Sequence, residues 1–432
     1  MNGIKSLYKA LLISALALRA AAAGWDDTFA TSFAATAPGA TPKAIITSST
    51  TVYVYASYLV SYSPSSTEIL YKWTPANGWT TVANSDIGSS SSGGVVNTLY
   101  ADGGVLYVGI SGTASAGSLG APLKGVARFN PSTGVWTGMN QGLQINGSVF
   151  ALGVGAKRQT PSGADYRYLY CGGDLTVGTS QDFARAQIDS WGWDTLANQI
   201  QEPQGGTQAR VNSIVINHVY GPDNTYGHEV YLGGRFKWAG AHANLKKFND
   251  KVYAQSDGWQ TLSGYVTKWH YDCDGVFIED LNQPEIWAMT YRSGTVHFTG
   301  DFSKVNGTYL TCDIGPIIGC AANASLFQKY RGLGRISGNA VQTLSSDSAS
   351  FTGGVGSLAA NSTNTYCAIG QLNISCTDPG SAGRPYVFFG STFQLLDANP
   401  LNYYTKVAAN AAGAYYIYTD TSGNGGVRRW VQ

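Results

Sequence analysis

The sequence predicts an all-β protein, a single seven-bladed β-propeller with four antiparallel strands in each blade. Three observations carry this. Short β-branched and aromatic runs bounded by Gly, Asn and Asp recur throughout, and no convincing long amphipathic helix interrupts them. One strand type returns seven times: TVYVYAS at Thr51, VLYVGI at Val105, YLYCGGDL at Tyr168, HEVYLGGRF at His228, TVHFTGDF at Thr295, TYCAIGQL at Thr365 and AYYIYTD at Ala414. The residues closing these runs stand at 56, 109, 172, 233, 299, 369 and 419, so the repeat is roughly sixty residues long. Four strands per repeat at such a period fit blades that close radially, because no blade can bury both its faces alone.

The stretch from Ala209 to Leu262 is the clearest copy of the unit. ARVNSIVIN is its first strand, HEVYLGGRF its second, NLKKFND its third, and the strand built on Gly258-Trp259 its fourth. Blade one then spans Lys43 to Val82, blade two Val95 to Met139 and blade three Val149 to Leu196. Blade five begins at Glu285 and ends at AVQTL, where Val341 replaces the usual tryptophan, and blade six covers Gly356 to Leu396. The last blade offers three strands after Lys406 and stops at Gln432 without a Gly-Trp strand. GWDDTF at Gly24 supplies that element, so the N-terminal strand is expected to close the last blade and remove the open seam.

Residues 1–23 have the layout of a secretory signal peptide. Lys5 and Lys9 precede the apolar run Ala10 to Leu18, and Ala21-Ala22-Ala23 offers small residues for cleavage. That run, followed by Arg19, falls well short of the ~20 apolar residues that span a bilayer. The propeller is expected over 24–432, exported to the extracellular space or cell surface, with no transmembrane segment.

Charge narrows the partners. Lys plus Arg number 27 and Asp plus Glu 26, so no basic field exists to neutralise a phosphate backbone, and nucleic acid is excluded as a ligand. Low charge and 27 tyrosines favour a surface that stacks on sugars or packs against another protein. Surfaces near zero net charge also associate readily, which leaves self-association, as in an extracellular filament, as an alternative.

Six cysteines in an exported chain allow disulfides, and several connectivities remain open from sequence alone. Proximity favours Cys312 with Cys320 and Cys367 with Cys376, leaving Cys171 with Cys273. Their spacing matches no structural zinc pattern. N-x-S/T sequons at Asn146, Asn306, Asn323, Asn361 and Asn373 are expected on exposed loops or edges.

The repeat grammar, LYCGGDL and VYLGGRF followed by GVARFN or NLKKFN and then GWDTL or GWQTL, resembles kelch-like and galactose-oxidase-like propellers. It is most similar to the LYVGGxF-type repeats of bacterial surface proteins and fungal cortical-marker proteins. The resemblance covers nearly the whole mature chain and implies a secreted or surface-exposed propeller. It implies no ligand. The copper site of paired Tyr and His found in the kelch-like oxidases has no counterpart among these five histidines.

No G-x-S-x-G elbow, H-E-x-x-H helix or phosphate loop is present. The paired glycines and the tryptophans Trp79, Trp136, Trp193 and Trp259 recur once per blade and are expected to serve packing. Departures from the repeat are more informative: GYVTKWHYDCDGVFIEDLNQ, from Gly264 to Gln283, and SKVNGTYLTCDIGPIIGC, from Ser303 to Cys320. In a propeller both connection types emerge on one face, where binding groups concentrate on a rigid scaffold. Trp238, His242, Trp269, His270, Asp272 and Asp274 are the expected ligand-binding residues. Asp272 and Asp274 are also candidates for calcium, although their order does not reproduce an EF-hand. With Glu279 and Asp280 they could instead supply the acid/base pair of a glycoside hydrolase. A solvated acidic loop is the plain alternative. The sequence thus points to a non-catalytic extracellular binding or assembly module, needing no cofactor, with a polysaccharide-active enzyme as the alternative.

Overall fold

The computed structural model describes residues 23–59, 66–89, 95–116, 122–139, 145–158, 163–188, 190, 192–194, 196, 200–202, 208–221, 224–238, 241–242, 244–250, 258–267, 269–271, 277–279, 284–302, 304–305, 308–309, 331–343, 350–352, 357–369, 371–373, 384–389, 392–397, 402–420, 422 and 424–431. Residues 1–22 of the expected signal peptide therefore lie outside the described residues.

The described chain is all-β apart from one helix. Its strands form successive four-stranded antiparallel units of the propeller type, each paired in chain order. Unit 1 is Thr41–Ser48, Thr51–Leu59, Ser66–Thr74 and Gly78–Thr81. Unit 2 is Val95–Asp102, Val105–Ala116, Pro122–Asn130 and Val135–Gly138. Unit 3 is Ile145–Lys157, Tyr166–Val177, Ser180–Gln187 and Trp193–Asp194. Unit 4 is Arg210–Tyr220, Tyr226–Arg235, Leu245–Asp250 and Gly258–Gln260. Unit 5 is Glu285–Arg292, Thr295–Asp301, Arg331–Ser337 and Ala340–Thr343. Unit 6 is Ser357–Ala360, Thr365–Ile369, Arg384–Phe389 and Thr392–Leu395. In unit 7, Asn402–Asn410, Gly413–Asp420 and Gly425–Val431 are joined by Gly24–Asp26 from the other end of the chain.

The first strands of these units neighbour one another in order, and that of unit 7 returns to that of unit 1. There Thr47 donates its hydroxyl hydrogen bond to the Ala409 carbonyl at 2.8 Å. The core is distributed accordingly. Each cluster of buried apolar side chains is shared by two neighbouring units rather than held within one. The recurring tryptophans reinforce these seams. Trp136 in unit 2 donates its indole hydrogen bond to the Asn84 carbonyl just past unit 1, and Trp193 in unit 3 donates to Met139 just past unit 2. Trp25 in unit 7 donates to Leu396 just past unit 6. Such bonds contribute about 1 kcal/mol each beyond the buried area.

The paired glycines follow from the same crowding. A Cβ on Gly173 or Gly234 would overlap the carbonyl oxygen of Ser148 or Arg210, opposite a bulge in the unit's own first strand. A Cβ on the preceding glycine, Gly172 or Gly233, would strike Val211 or Ile286 in the first strand of the next unit. One glycine thus admits the bulge and the other admits the neighbour.

The N-terminal element differs from the expected strand. Only Gly24–Asp26 pairs, opposite Arg429 to Val431; the chain then turns into the helix Asp27–Thr36. Asp26 caps it, its carboxylate accepting from the Phe29 amide at 3.1 Å. Phe29 and Phe33, one turn apart, share a face and are both 2% exposed. They fill the seam between units 7 and 1: Phe29 packs on Trp73, Trp79 and Tyr415, and Phe33 on Tyr71 and Trp79. Trp79 closes the pattern of seam bonds by donating to the Phe29 carbonyl at 3.2 Å.

A buried ionic network crosses the seam between units 3 and 4. Asp250 pairs with Lys157 and Arg185, both at 2.6 Å, and accepts from the Tyr170 hydroxyl at 2.7 Å. Burial works to raise the Asp250 pKa, but Arg185, His228 and Lys157 outweigh it and hold the carboxyl below its usual range. His228, fully buried against Gly155, meets the Tyr170 hydroxyl and lies 3.5 Å from Asp250. Burial outweighs that attraction and pulls the imidazole down to about 4. His297, 4% exposed in unit 5, is depressed likewise to about 4 by burial and by Arg292 and Arg335.

Cys171 and Cys367 are free thiols buried in second strands, where burial pushes both pKa values up. The expected bridges to Cys273 and Cys376 do not engage them, since each side chain points into strand packing rather than toward a loop. Cys273, Cys312, Cys320 and Cys376 lie outside the described residues, as do Asn306 and Asn323. Asn373 falls on the strand Gln371–Asn373, and Asn146 is exposed as expected of an acceptor. Asn361 is not: its side-chain oxygen accepts from the Thr363 and Asn364 amides at 3.0 and 2.8 Å, and its amide nitrogen donates to Tyr366 and the Asn410 carbonyl.

Two measurements test this architecture. Replacing Phe29 and Phe33 with Ala should each cost about 3–5 kcal/mol and shift the denaturant midpoint of the whole chain. An unshifted midpoint would show that the N-terminal segment is dispensable. For pH, both histidines have folded pKa values below the unfolded value of ~6.5, so the unfolded chain binds more protons between about 4 and 6.5. Their stabilisation is present above that window and lost as pH falls through it, by up to ~3 kcal/mol each. The stability-versus-pH slope near pH 5 should flatten in the His228→Gln, His297→Gln variant; an unaltered slope would exclude the histidines as its source.

Candidate functional site

The first strands of the units leave a cavity of about 350 Å³ at their centre, lined by residues from all seven of these strands. Its lining exposes polar and apolar surface in equal measure, with Ile46, Leu99, Leu152 and Met289 beside Thr47, Thr98 and Thr290, and with Phe150 and Asn212 toward the end where first strands begin. At that end the first strands carry bulges. Register slips between Val149 and Ala151, between Val211 and Ser213, and between Ile286 and Ala288 leave Phe150, Asn212 and Trp287 as the extra residues.

These bulges build a polar rim. Glu285 accepts from Arg210 at 2.5 and 3.0 Å and from Asn212 at 2.8 Å, and Arg235 stands 3.9 Å from its other oxygen. Asn212 also donates to the Ile286 carbonyl at 2.9 Å, tying unit 4 to unit 5. The Arg210 guanidinium lies 5.6 Å over the Phe150 ring. Asp182, 7% exposed beside Asp174 and Glu202, is a second feature of this end. Burial and those two carboxylates, against one hydrogen bond from the Leu175 amide, raise its carboxyl to about 7.

Segments linking one unit to the next clasp the following unit on the same face. Ile87–Ser89 pairs with Val105–Ala116, Ile200–Gln201 with Lys237–Trp238, Val266–Thr267 with Lys304–Val305, and Ser350–Thr352 with Gln371–Asn373. The third clasp joins the two long excursions to each other, Val266 opposite Val305 and Thr267 opposite Lys304. Val266 and Val305 are buried, so the loops are anchored on the inter-unit core.

Of the expected ligand residues, Trp238 lies in the clasp between units 3 and 4. Trp238 pairs with Ile200 and Ala241; its ring lies 4.3 Å from that of Trp259, with the Lys246 ammonium 4.6 Å away. It is half-buried against the core between units 3 and 4 and so serves packing as well. His242 stands opposite Lys237 in the strand Ala241–His242. Trp269 and His270 belong to a hairpin in which Trp269 faces Glu279 and His270 faces Ile278. Asp272, Asp274 and Asp280 lie outside the described residues. Among the described residues no group of three or more His, Cys, Asp or Glu side chains is arranged to hold a metal ion.

Phe150, Arg210, Asn212, Glu285 and Asp182 were not singled out by sequence. Three bulge residues carry a local signal: each sits between a β-branched and a small residue, in Val149-Phe150-Ala151, Val211-Asn212-Ser213 and Ile286-Trp287-Ala288. Asp182 has none, since its pKa depends on burial that only the folded seam creates.

No protein-family model matches the chain, and no curated protein matches it in sequence. Among solved structures it is similar to the β-propeller domain of the Trilobed protease from Pyrococcus furiosus, at 8% identity and a TM-score of 0.42, covering 90% of this chain and 95% of that one. It is also similar to the polysaccharide lyase Uly1, at 12% identity and a TM-score of 0.40, over 90% and 89% of the two chains. The β-propeller domain of Myceliophteria thermophila Cps50 (Swd1) aligns at 9% identity and a TM-score of 0.36, over 91% and 99%. With all three scores below 0.5, the strand pairing of this chain itself carries its fold.

Proposed function

We propose that residues 24–432 form one closed seven-bladed β-propeller, exported after removal of residues 1–23, that acts as a non-catalytic extracellular binding or assembly module. Its ligand, a glycan or an extracellular protein, docks on the loop face over the mouth of the central cavity. The observation that carries this is the pairing of the two long excursions through Val266 and Val305, beside a rim of Phe150, Arg210, Asn212 and Glu285. The buried Val266 and Val305 tie the described ends of the two excursions to the inter-unit core. The kelch-like and LYVGGxF grammar is in keeping with a surface-exposed role.

A second reading is favoured by Asp182. A carboxyl titrating at about 7 holds its proton near neutral pH, as a general acid must, and Asp174 stands beside it. In that reading the protein is a polysaccharide-active enzyme whose acid lies in unit 3, with the acidic loop as a further carboxylate source.

Glycan-array screening of the secreted chain, with its loop-face variants, separates these. Trp269→Ala and His242→Ala should weaken ligand binding at least tenfold while the melting temperature stays put. Trp259→Ala should instead destabilise the fold by about 3 kcal/mol. Turnover of a bound polysaccharide that Asp182→Asn abolishes would decide for the enzyme, and unfolding of the Trp269 variant would remove the loop-face site.

A further inference from the structure

We propose that the joined hairpin tips of units 3 and 4, at the end of the strands opposite the loop face, form a second ligand site: a stacking ridge for a neutral carbohydrate. It shares with the proposed function only the reading of the chain as a binding module. From Arg210 at the rim to Tyr220 at the tip, one strand runs for 11 residues, roughly 30 Å at ~3.3 Å per residue. The two sites cannot be one.

The first two strands of unit 3 have 13 and 12 residues and those of unit 4 have 11 and 10, against 4 and 5 in unit 6. Their projecting tips are locked together. The Arg158 amide donates to the Tyr226 carbonyl at 2.8 Å, and the Tyr226 amide returns the bond at 3.1 Å. Across this junction Tyr220, Tyr226, Arg158 and Asp165 are cross-strand partners, and Tyr220 is 82% exposed. Tyr166 pairs with Lys157 and falls on the other face by strand alternation. The Tyr220 and Tyr226 rings lie 6.4 Å apart, and the Arg158 guanidinium sits 5.2 Å over Tyr226. Arg158 grips Asp165 with two bonds, at 2.5 and 2.9 Å.

The ligand class follows from charge and size. Arg158 and Asp165 cancel, and Lys157, which could have made the tip cationic, turns inward to the buried Asp250. Among the described tip residues no net positive charge remains, and the sequence between Tyr220 and Tyr226 adds only Asp223, so the ridge has no preference for an anion. Paired guanidinium and carboxylate groups keep donors and acceptors free at the surface for hydroxyls, while tyrosine rings offer flat apolar faces to the C–H side of a sugar ring. Three inter-strand spacings, about 14 Å, separate Tyr220 from Asp165 along the ridge. That length suits a short oligosaccharide.

The test is calorimetric titration of the full secreted chain with cellohexaose, mannohexaose and hexagalacturonate, with sedimentation in parallel. One neutral hexaose should bind, Tyr220→Ala should weaken it at least tenfold without moving the melting temperature, and Tyr220→Phe should retain it. Asp165→Ala should weaken it as well. Absence of binding by both neutral hexaoses, a preference for hexagalacturonate, or binding that Tyr220→Ala leaves intact overturns the ridge. Loss of neutral-sugar binding in Trp269→Ala but not in Tyr220→Ala overturns it while the loop-face function stands. A dimer that Tyr220→Ala dissolves assigns the tyrosines to a second copy and overturns it equally.

Discussion

The structure depends on one constraint: no unit can bury its own faces. Every apolar cluster is shared across a seam, so a unit is stable only with neighbours on both sides, and a linear array would leave two faces wet. The chain meets this at the join between units 7 and 1. Gly24–Asp26 supplies the strand that unit 7 lacks, and the helix that follows drives Phe29 and Phe33 between Tyr415 on one side and Trp73 and Trp79 on the other. Two buried Phe side chains, at about 1.5–3 kcal/mol each, supply far more than three residues of strand pairing could. The strand sets the register, and the aromatic wedge supplies the adhesion.

The same crowding that holds the seams also shapes the rim. The second glycine of each pair removes a Cβ where two backbones approach, and the bulge it faces pushes an extra residue toward the cavity mouth. Phe150 and Asn212 therefore reach the rim as a by-product of packing. Asn212 then does double duty, bonding Glu285 and the Ile286 carbonyl across the seam. Displacing it for a ligand would break its bonds to both Glu285 and the Ile286 carbonyl and so loosen units 4 and 5.

Much of this was legible in the residues. The once-per-unit glycines and tryptophans gave the repeat, and GWDDTF at Gly24 gave the missing strand, because a conspicuous gap in unit 7 matched a conspicuous surplus at the N-terminus. The helix was not legible: Asp27–Thr36 holds only two core-facing aromatics, too few for an amphipathic period to emerge. Trp238 looked like a lone loop aromatic, yet it leans on Trp259, a contact set by folding the strand Lys237–Trp238 back over the seam. Asn361 matched an acceptor sequon, but Asn also favours turns, and here the turn uses the side chain. Cys367 was assigned to Cys376 by proximity in sequence and Cys171 to Cys273 as the pair left over, whereas both Cys171 and Cys367 are buried free thiols in second strands.

The buried network between units 3 and 4 connects the two ends of the molecule. Lys157 and Asp250 are the last residues of their strands, at the tip end, and with Arg185, Tyr170 and His228 they form a charged knot inside an apolar seam. Such a knot is a weak source of net stability, because desolvation offsets most of the attraction. Its geometry is nevertheless strict: Asp250 needs both cations in place, and each comes from unit 3. The knot therefore fixes the angle between units 3 and 4, and with it the height at which their two hairpins emerge side by side. Without that angle Arg158 and Tyr226 would not meet. The ionic pairing thus stands beside the apolar cluster of the same seam, and the reciprocal backbone bonds of Arg158 and Tyr226 join the projecting tips into one surface.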